Sequence, residues 1–372
     1  MIVGTIKEIK THEYRVGLTP DCVRAYVENG HSVYVESGAG VSIGFSDDHY
    51  RVVGAKLMPT AKDVFDHADM IVKVKEPQKS EYQYFRNEQI LYTYLHLAAD
   101  KELSEMLMDK KVNAVAYETI EDENGMLPCL KPMSEIAGRL SVQQGAKYLE
   151  KTYGGKGVLL AGVPGVRKGK VAILGGGVVG ASACKIAVGM GADVTVLDLN
   201  ANRMSYLEDV FGSRISLLYS TESNIETICK ESDLIIGAVL VPGAKAPNLI
   251  KRKHLEMMQP GSVLVDVAID QGGCFETSKP TTHDDPIYIV DDIVHYSVAN
   301  MPGAVALTST LALTSVTLSY GLEIANLGLE NSCFKNPNLA KGVNIYKGNC
   351  VYEAVAKAHS FKFTPANFTT KE

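Results

Sequence analysis

The sequence predicts an α/β protein built from two doubly wound parallel sheets. Two observations predict it. Short apolar, β-branched runs alternate with helix-length amphipathic segments along most of the chain, the pattern of parallel strands joined by helical crossovers. The length, 372 residues, suits two to three domains of ordinary size.

The elements follow in order. IVGTIKEI at the start, then HSVYVES, DMIVKV, QILYTY and VNAVAYE, read as strands of a first domain. Helical segments such as Leu18 to Asn29 and Asp100 to Lys111 lie between them. Ser134 to Lys151 spaces Ile136, Ala137, Leu140, Val142 and Leu149 as a linking helix would. KVAIL (170–174), VTVLD (194–198), ISLLY (215–219), DLIIGAV (233–239), SVLVDVA (262–268), YIV (288–290) and HYSVAN (295–300) give the strands of a second domain. The expected division is residues 1–130 plus 305–372 for one domain and 131–304 for the other, with two crossings between them and hence an interdomain cleft.

Composition narrows the function. Apolar residues are 46% and charged residues 22%, so the chain can bury a core and is not chiefly disordered. A net charge of −6 lacks the basic face that nucleic acid or anionic lipid would require. Seven cysteines, none at CxxC spacing, read as reduced, mostly buried thiols in a cytoplasmic protein. MIVGTIKEIK is too charged for a secretory signal. Ala304 to Leu322 carries no charge, but its many Ser and Thr suit a buried helix better than a membrane span.

KVAIL runs directly into GGGVVG, which holds G-x-G-x-x-G as Gly175, Gly177 and Gly180. A helix-forming segment follows, and the next strand ends in an acid, Asp198. That context is the Rossmann fingerprint. Gly175 allows a tight turn, Gly177 lets a pyrophosphate approach the backbone, and Gly180 brings helix close to sheet. Asp198 would accept hydrogen bonds from a ribose and repel a 2′-phosphate, favouring NAD over NADP. Arg203, five residues on, tempers that preference, because an arginine can hold the extra phosphate.

Ligands of open α/β sheets bind at the carboxyl ends of strands. Arg15, Lys75 and His96 follow strands of the first domain, and Asp270 follows SVLVDVA of the second. Arg15 and Lys75 suit a substrate carboxylate, the first as a fork and the second as a point charge. His96 suits a general acid/base near neutrality, and Asp270 a partner for an ammonium or a proton relay. Each also has a plainer reading: solvated loop arginine, charged strand end beside Lys73, structural histidine, turn-shaping aspartate before Gly272 and Gly273. His283, Asp284 and Asp285 read as a polar loop, and no metal site is expected.

Long strings carry a resemblance. GTIKEIKTHEYRVGLTP, VKVKEP, YLHLAA, PMSEIAGRLSVQQGAKYLE, AILGGGVVG, GAVLVPGAKAPNLI, LVDVAIDQGGCFETSKPTTHDDP and HYSVANMPGAV span nearly the whole chain. Through them the chain resembles the family of alanine dehydrogenases and the NAD-binding subunit of nicotinamide nucleotide transhydrogenase. The resemblance implies reversible oxidative deamination of L-alanine to pyruvate and ammonia, with NADH formed. It makes Arg15 and Lys75 substrate binders and His96 and Asp270 catalytic. It maps the NAD contacts to Ser134, Val178, Val179, Asp198, Arg203, Ser220, Val239, Leu240, Val267, Ala268, Ile269, Asp270, Lys279, Val298, Ala299, Asn300 and Met301. It also implies a homohexamer. A 2-hydroxy-acid dehydrogenase, a transhydrogenase subunit and, more distantly, a saccharopine-forming dehydrogenase are the alternatives.

Overall fold

A computed structural model describes residues 1–239 and 246–369. The chain forms two compact units, Met1–Pro132 with Val305–Glu372, and Met133–Ala304. The first six strands belong to unit 1: β1 (Ile2–Thr5), β2 (Ser32–Glu36), β3 (Lys56–Met58), β4 (Met70–Val72), β5 (Ile90–Thr93) and β6 (Asn113–Ala116). The next seven belong to unit 2: β7 (Lys170–Leu174), β8 (Asp193–Asp198), β9 (Ile215–Tyr219), β10 (Leu234–Gly237), β11 (Val263–Asp266), β12 (Ile287–Val290) and β13 (Ile293–Tyr296). β14 (Val343–Tyr346) and β15 (Asn349–Cys350) return to unit 1.

Unit 1 has the strand order β15-β14-β6-β5-β4-β1-β2-β3, and unit 2 the order β12-β13-β11-β10-β7-β8-β9. In each, the chain winds outward from a central strand, returns, and winds the other way. The reversal falls between β1 and β4 in unit 1 and between β7 and β10 in unit 2. Such a switch point opens a crevice at the carboxyl ends of the two strands, where ligands of doubly wound sheets sit.

The strands form because their residues are apolar on both faces: β4, β5, β6, β10 and β11 are buried throughout. Several helices start where a side chain takes an orphan N–H. Thr19 caps Pro20–Glu28, Asp100 caps Lys101–Asp109 and Asn200 caps Ala201–Phe211, each cap being worth about 1 kcal/mol. Leu91, Leu95, Leu103 and Ile345 anchor the core of unit 1, and Leu174, Leu197, Ile235 and Leu264 that of unit 2. All seven cysteines are buried and free.

Several sequence expectations need correction. The elements are shorter than the apolar runs: IVGTIKEI is strand only over Ile2–Thr5, because Glu8 turns to bind other backbone. HYSVAN is displaced, since strand β13 ends at Tyr296 and Ser297 to Asn300 lies beyond it. The sheets are not wholly parallel. β12 and β13 pair antiparallel, as do β14 with β6 and with β15. Asp291 and Asp292 both have positive φ, as do Lys347 and Gly348, giving two-residue turns whose twist suits hairpins. β3 adds a strand that the sequence pattern does not predict, since its three residues KLM are too short to form an apolar run.

Met301–Leu327 is long and apolar enough to cross a membrane by length and composition. Within it, helix Ala306–Leu327 packs into unit 1 through Ser309, Thr310, Leu313, Thr317, Gly321 and Ile324. Thr314 and Thr317 bond back to the helix carbonyls of Thr310 and Leu313, so these hydroxyls carry no unmet need in the core.

Candidate active site

In unit 1 the candidate residues follow the carboxyl ends of three neighbouring parallel strands, β1, β4 and β5. Arg15 is buried. Its Nε and Nη2 donate to the two oxygens of Glu13, both at 2.6 Å, a fork-on-fork pair. Burial works against the charge of Arg15, but the bonds to Glu13 outweigh it and hold the guanidinium protonated. Burial likewise opposes the Glu13 carboxylate, and Arg15 overcomes it, so Glu13 titrates below its usual range.

Lys75 follows β4. Its ammonium makes no hydrogen bond or ion pair among the described residues. Burial, reinforced by the neighbouring Arg15 and Lys10, draws its pKa below the ordinary lysine range, against Glu76 and Glu13. Two cations therefore share one neighbourhood, and one of them is uncommitted. Beneath them Lys73 is wholly buried between Glu8 (3.0 Å) and Glu81 (2.9 Å). Glu8 also accepts the backbone N–H groups of Val74 (2.6 Å) and Lys75 (3.2 Å). Lys73 is thus part of the frame and not a second surface charge beside Lys75.

His96 is exposed between two buried leucines, Leu95 and Leu97. Its backbone is left-handed, φ 51° and ψ 36°, an arrangement that costs a β-carbon-bearing residue about 1–2 kcal/mol. Its ring stacks loosely on Tyr94, and its nitrogens are free of partners among the described residues. The Glu118 carboxylate accepts the N–H groups of Leu95 and His96.

Unit 2 supplies a different kind of site. After β7, Gly175 has φ 96°, and a β-carbon at Gly180 would lie 1.8 Å from the Gly175 carbonyl oxygen. Only glycine fits there. A β-carbon at Gly177 would meet nothing within 4 Å, so the space over the start of helix Val178–Gly189 is open to a phosphate. Val178 and Val179 form the first turn of that helix, and Gly138 of helix Lys131–Tyr148, which carries Ser134, packs against the Val179 carbonyl. Asp198 ends β8 and accepts the N–H of Gly176 (2.6 Å) and of Asn200 (2.8 Å), which fixes its carboxylate beside the glycine turn. Arg203 donates to the carbonyls of Gly176 and Gly177 and lies over the Tyr206 ring.

The remaining cofactor candidates also lie beyond strand carboxyl ends. Ser220 follows β9, its N–H on the Asp198 carbonyl. Val239 follows β10, beside Gly175. Val267, Ala268, Ile269 and the exposed Asp270 follow β11, the last two in a short 3-10 turn. Val298 and Ala299 follow β13 and pair with Thr281, ahead of Asn300 and Met301. Lys279 is exposed and lies over the Tyr288 ring. Leu240 lies outside the described residues.

Sequence reasoning missed the carboxylates that hold these loops. Besides Glu8, Glu13, Glu81 and Glu118, the buried Asp266 accepts from Ala268, Cys274, Phe275 and Ser278 and so shapes the turn that presents Asp270. Burial raises its pKa, with those donors opposing. An acid inside the apolar run SVLVDVA was the available signal. Glu222, Glu226 and His254 bring ligand-type atoms together within 4.8 Å. The Lys251 N–H occupies Nδ1 of His254, which leaves the proton on Nε2 facing Glu222, and Lys251 and Lys253 also bind Glu222. The group is an ion-pair network.

Two doubly wound sheets, one with an open glycine turn beside a strand-terminal acid, are the architecture of a dinucleotide-binding protein of the α/β class. Sequence comparison makes this specific. The profile "Alanine dehydrogenase/PNT, N-terminal domain" matches residues 4–137, and "Alanine dehydrogenase/PNT, C-terminal domain" matches residues 141–353. The chain is 54% identical, over the full length of both, to an alanine dehydrogenase of Methanococcus maripaludis. A solved L-alanine dehydrogenase superposes with a TM-score of 0.95 at 54% identity, covering 97% of this chain and 99% of the other. A transhydrogenase from Sinorhizobium meliloti, 22% identical and covering 95% of this chain and 100% of its own, shares the fold with a TM-score of 0.81. The chain belongs to the alanine dehydrogenase/PNT family.

Proposed function

We propose that the chain is an NAD-dependent L-alanine dehydrogenase, interconverting L-alanine and pyruvate with ammonia. The observation that carries this is the Lys75 ammonium, uncommitted among the described residues, beside the Glu13-held Arg15, followed one strand over by a His96 imidazole whose nitrogens make no hydrogen bond among those residues. A binding subunit that turns over no small substrate has no need of such a set.

The nucleotide turn fits the dinucleotide: an open cradle at Gly177, a glycine-only contact at Gly180, and Asp198 held to receive ribose hydroxyls. The arginine that could have welcomed a 2′-phosphate is turned onto the Gly176 and Gly177 carbonyls, which supports NAD over NADP. Ser134, Ser220, Val239, Lys279 and the segments Val267 to Asp270 and Val298 to Met301 would complete the holding of the cofactor. NAD supplies the hydride acceptor.

The chain's own residues supply the rest. Arg15 and Lys75 hold the substrate carboxylate and orient its α-carbon. His96 takes a proton from the water that adds to the imine of pyruvate and returns it as the amine leaves. Asp270 assists that transfer. The same set would serve a hydroxy acid, so nitrogen dependence is the deciding measurement. Purified protein should form NADH from NAD with L-alanine but not with L-lactate, and should oxidise NADH with pyruvate only when ammonium is present. Equal turnover of lactate, or pyruvate reduction without ammonium, refutes the proposal. A homohexamer acting in the cytoplasm accompanies this reading.

A further inference from the structure

The strand end that carries His96 is held by the carboxylate of Glu118. Oε1 of Glu118 accepts the His96 N–H at 2.6 Å, and both of its oxygens lie within hydrogen-bond reach of the Leu95 N–H, at 3.1 and 3.3 Å. Two consecutive N–H groups converging on one carboxylate form an anion-binding concavity, here filled by the protein itself. The carbonyl of His96 is fixed as well, since it accepts the N–H of Ala99. Leu95 and Leu97 on either side are buried in the core. Both peptide groups of a left-handed, non-glycine residue are therefore tied, and only its exposed ring is left without a hydrogen bond.

We infer that Glu118, which follows β6 in the turn Tyr117–Thr119, is a positioning residue for His96. By occupying the two N–H groups it keeps His96 in the backbone conformation that presents the imidazole to the substrate. The inference rests on the acid/base role given to His96 above. Glu118 acts on the residue that moves protons and not on Arg15 or Lys75, so its removal should affect turnover and spare carboxylate binding.

Glu118→Ala releases both N–H groups. Its kcat for pyruvate amination, normalised to NADH-binding sites, should fall about 10- to 100-fold, the effect of a misplaced catalytic group. KM for pyruvate should stay within about twofold. Glu118→Gln keeps one oxygen that can accept from the His96 N–H and should recover kcat to within about threefold of wild type. Should Glu118→Ala fail to fold, Glu118→Asp, one methylene shorter, should show the same loss of kcat with KM intact. Unchanged kcat in the alanine or aspartate variant, a rise in KM that matches the loss in kcat, or a glutamine variant as impaired as alanine would each overturn the inference. A wild type inactive with L-alanine would refute the functional proposal. An active wild type with a fully active Glu118→Ala refutes the positioning role alone.

Discussion

On the function proposed above, the two units would meet their ligands with opposite kinds of surface, each at the switch point of its own sheet. At the switch point of unit 1 the working groups are side chains, and carboxylates from neighbouring segments fix each: Glu13 for Arg15, Glu8 for the peptides at Lys75, Glu118 for those at His96. At the switch point of unit 2 the working surface is backbone, cleared of side chains at Gly175, Gly177 and Gly180, with Asp198 bound to the turn it faces. The difference follows from the ligands proposed. A pyrophosphate is met by N–H groups and a helix terminus, which any sequence of small residues can present. A three-carbon acid offers one carboxylate and one reacting carbon, so it has to be held by charges and worked on by a titrating group.

This contrast can be broken at its strongest point first. His96→Ala should lower kcat by about 10²–10⁴-fold, the usual worth of a general acid/base, and leave NADH binding at the wild-type level. Steady-state kinetics together with NADH fluorescence titration check both halves. A loss of nucleotide binding would mean that the division of labour is wrong.

Lys73→Met tests the frame beneath. It strands Glu8 and Glu81 in the core without their cation, and removal of one partner from a buried ion group typically costs about 3–5 kcal/mol. Urea unfolding monitored by circular dichroism should show that loss. A change under 1 kcal/mol would mean that water already reaches the pair.

Asp198→Gly sharpens the comparison from the other side. It should weaken NADH by about tenfold, one ribose-anchoring interaction, and narrow the gap to NADPH, with no change in pyruvate KM at saturating cofactor. The smallest effect concerns pH. Lys75 is displaced downward, so it loses its charge at a lower pH than an ordinary lysine, and pyruvate binding should weaken on the alkaline side from below that range. KM for pyruvate measured against pH should rise there in the wild type. In Lys75→Arg, whose guanidinium stays protonated, it should remain flat.

The candidate residues at the strand ends of both sheets were legible in the sequence, because glycine spacing, a strand-terminal acid and polar residues directly after apolar runs are local signals. Gly175, Lys75 and His96 lie just past strands, Asp198 is the last residue of β8 and Gly180 sits in the first turn of the helix after β7, all where such signals suggested. The supporting shell was not legible. Glu8 and Glu118 act on peptides of other strands, and nothing within a few residues of either announces a partner some 20 to 70 positions away. The buried place of Lys73 was not legible either: a lysine beside another lysine looks solvated until the strand is known to be buried on both faces. The edge hairpins were missed because Asp291–Asp292 takes up a left-handed turn without the Asn-Gly or Asp-Gly pair that usually marks one.

The distribution of thiols gives the molecule a built-in reporter. Four of the buried cysteines, Cys22, Cys129, Cys333 and Cys350, lie in unit 1 and three, Cys184, Cys229 and Cys274, in unit 2, and burial pushes Cys129, Cys184, Cys229, Cys274 and Cys333 up to about 12. None can be alkylated readily until its surroundings open. Pulsed iodoacetamide labelling read peptide by peptide would therefore time the opening of each half separately, and show which one lets go first.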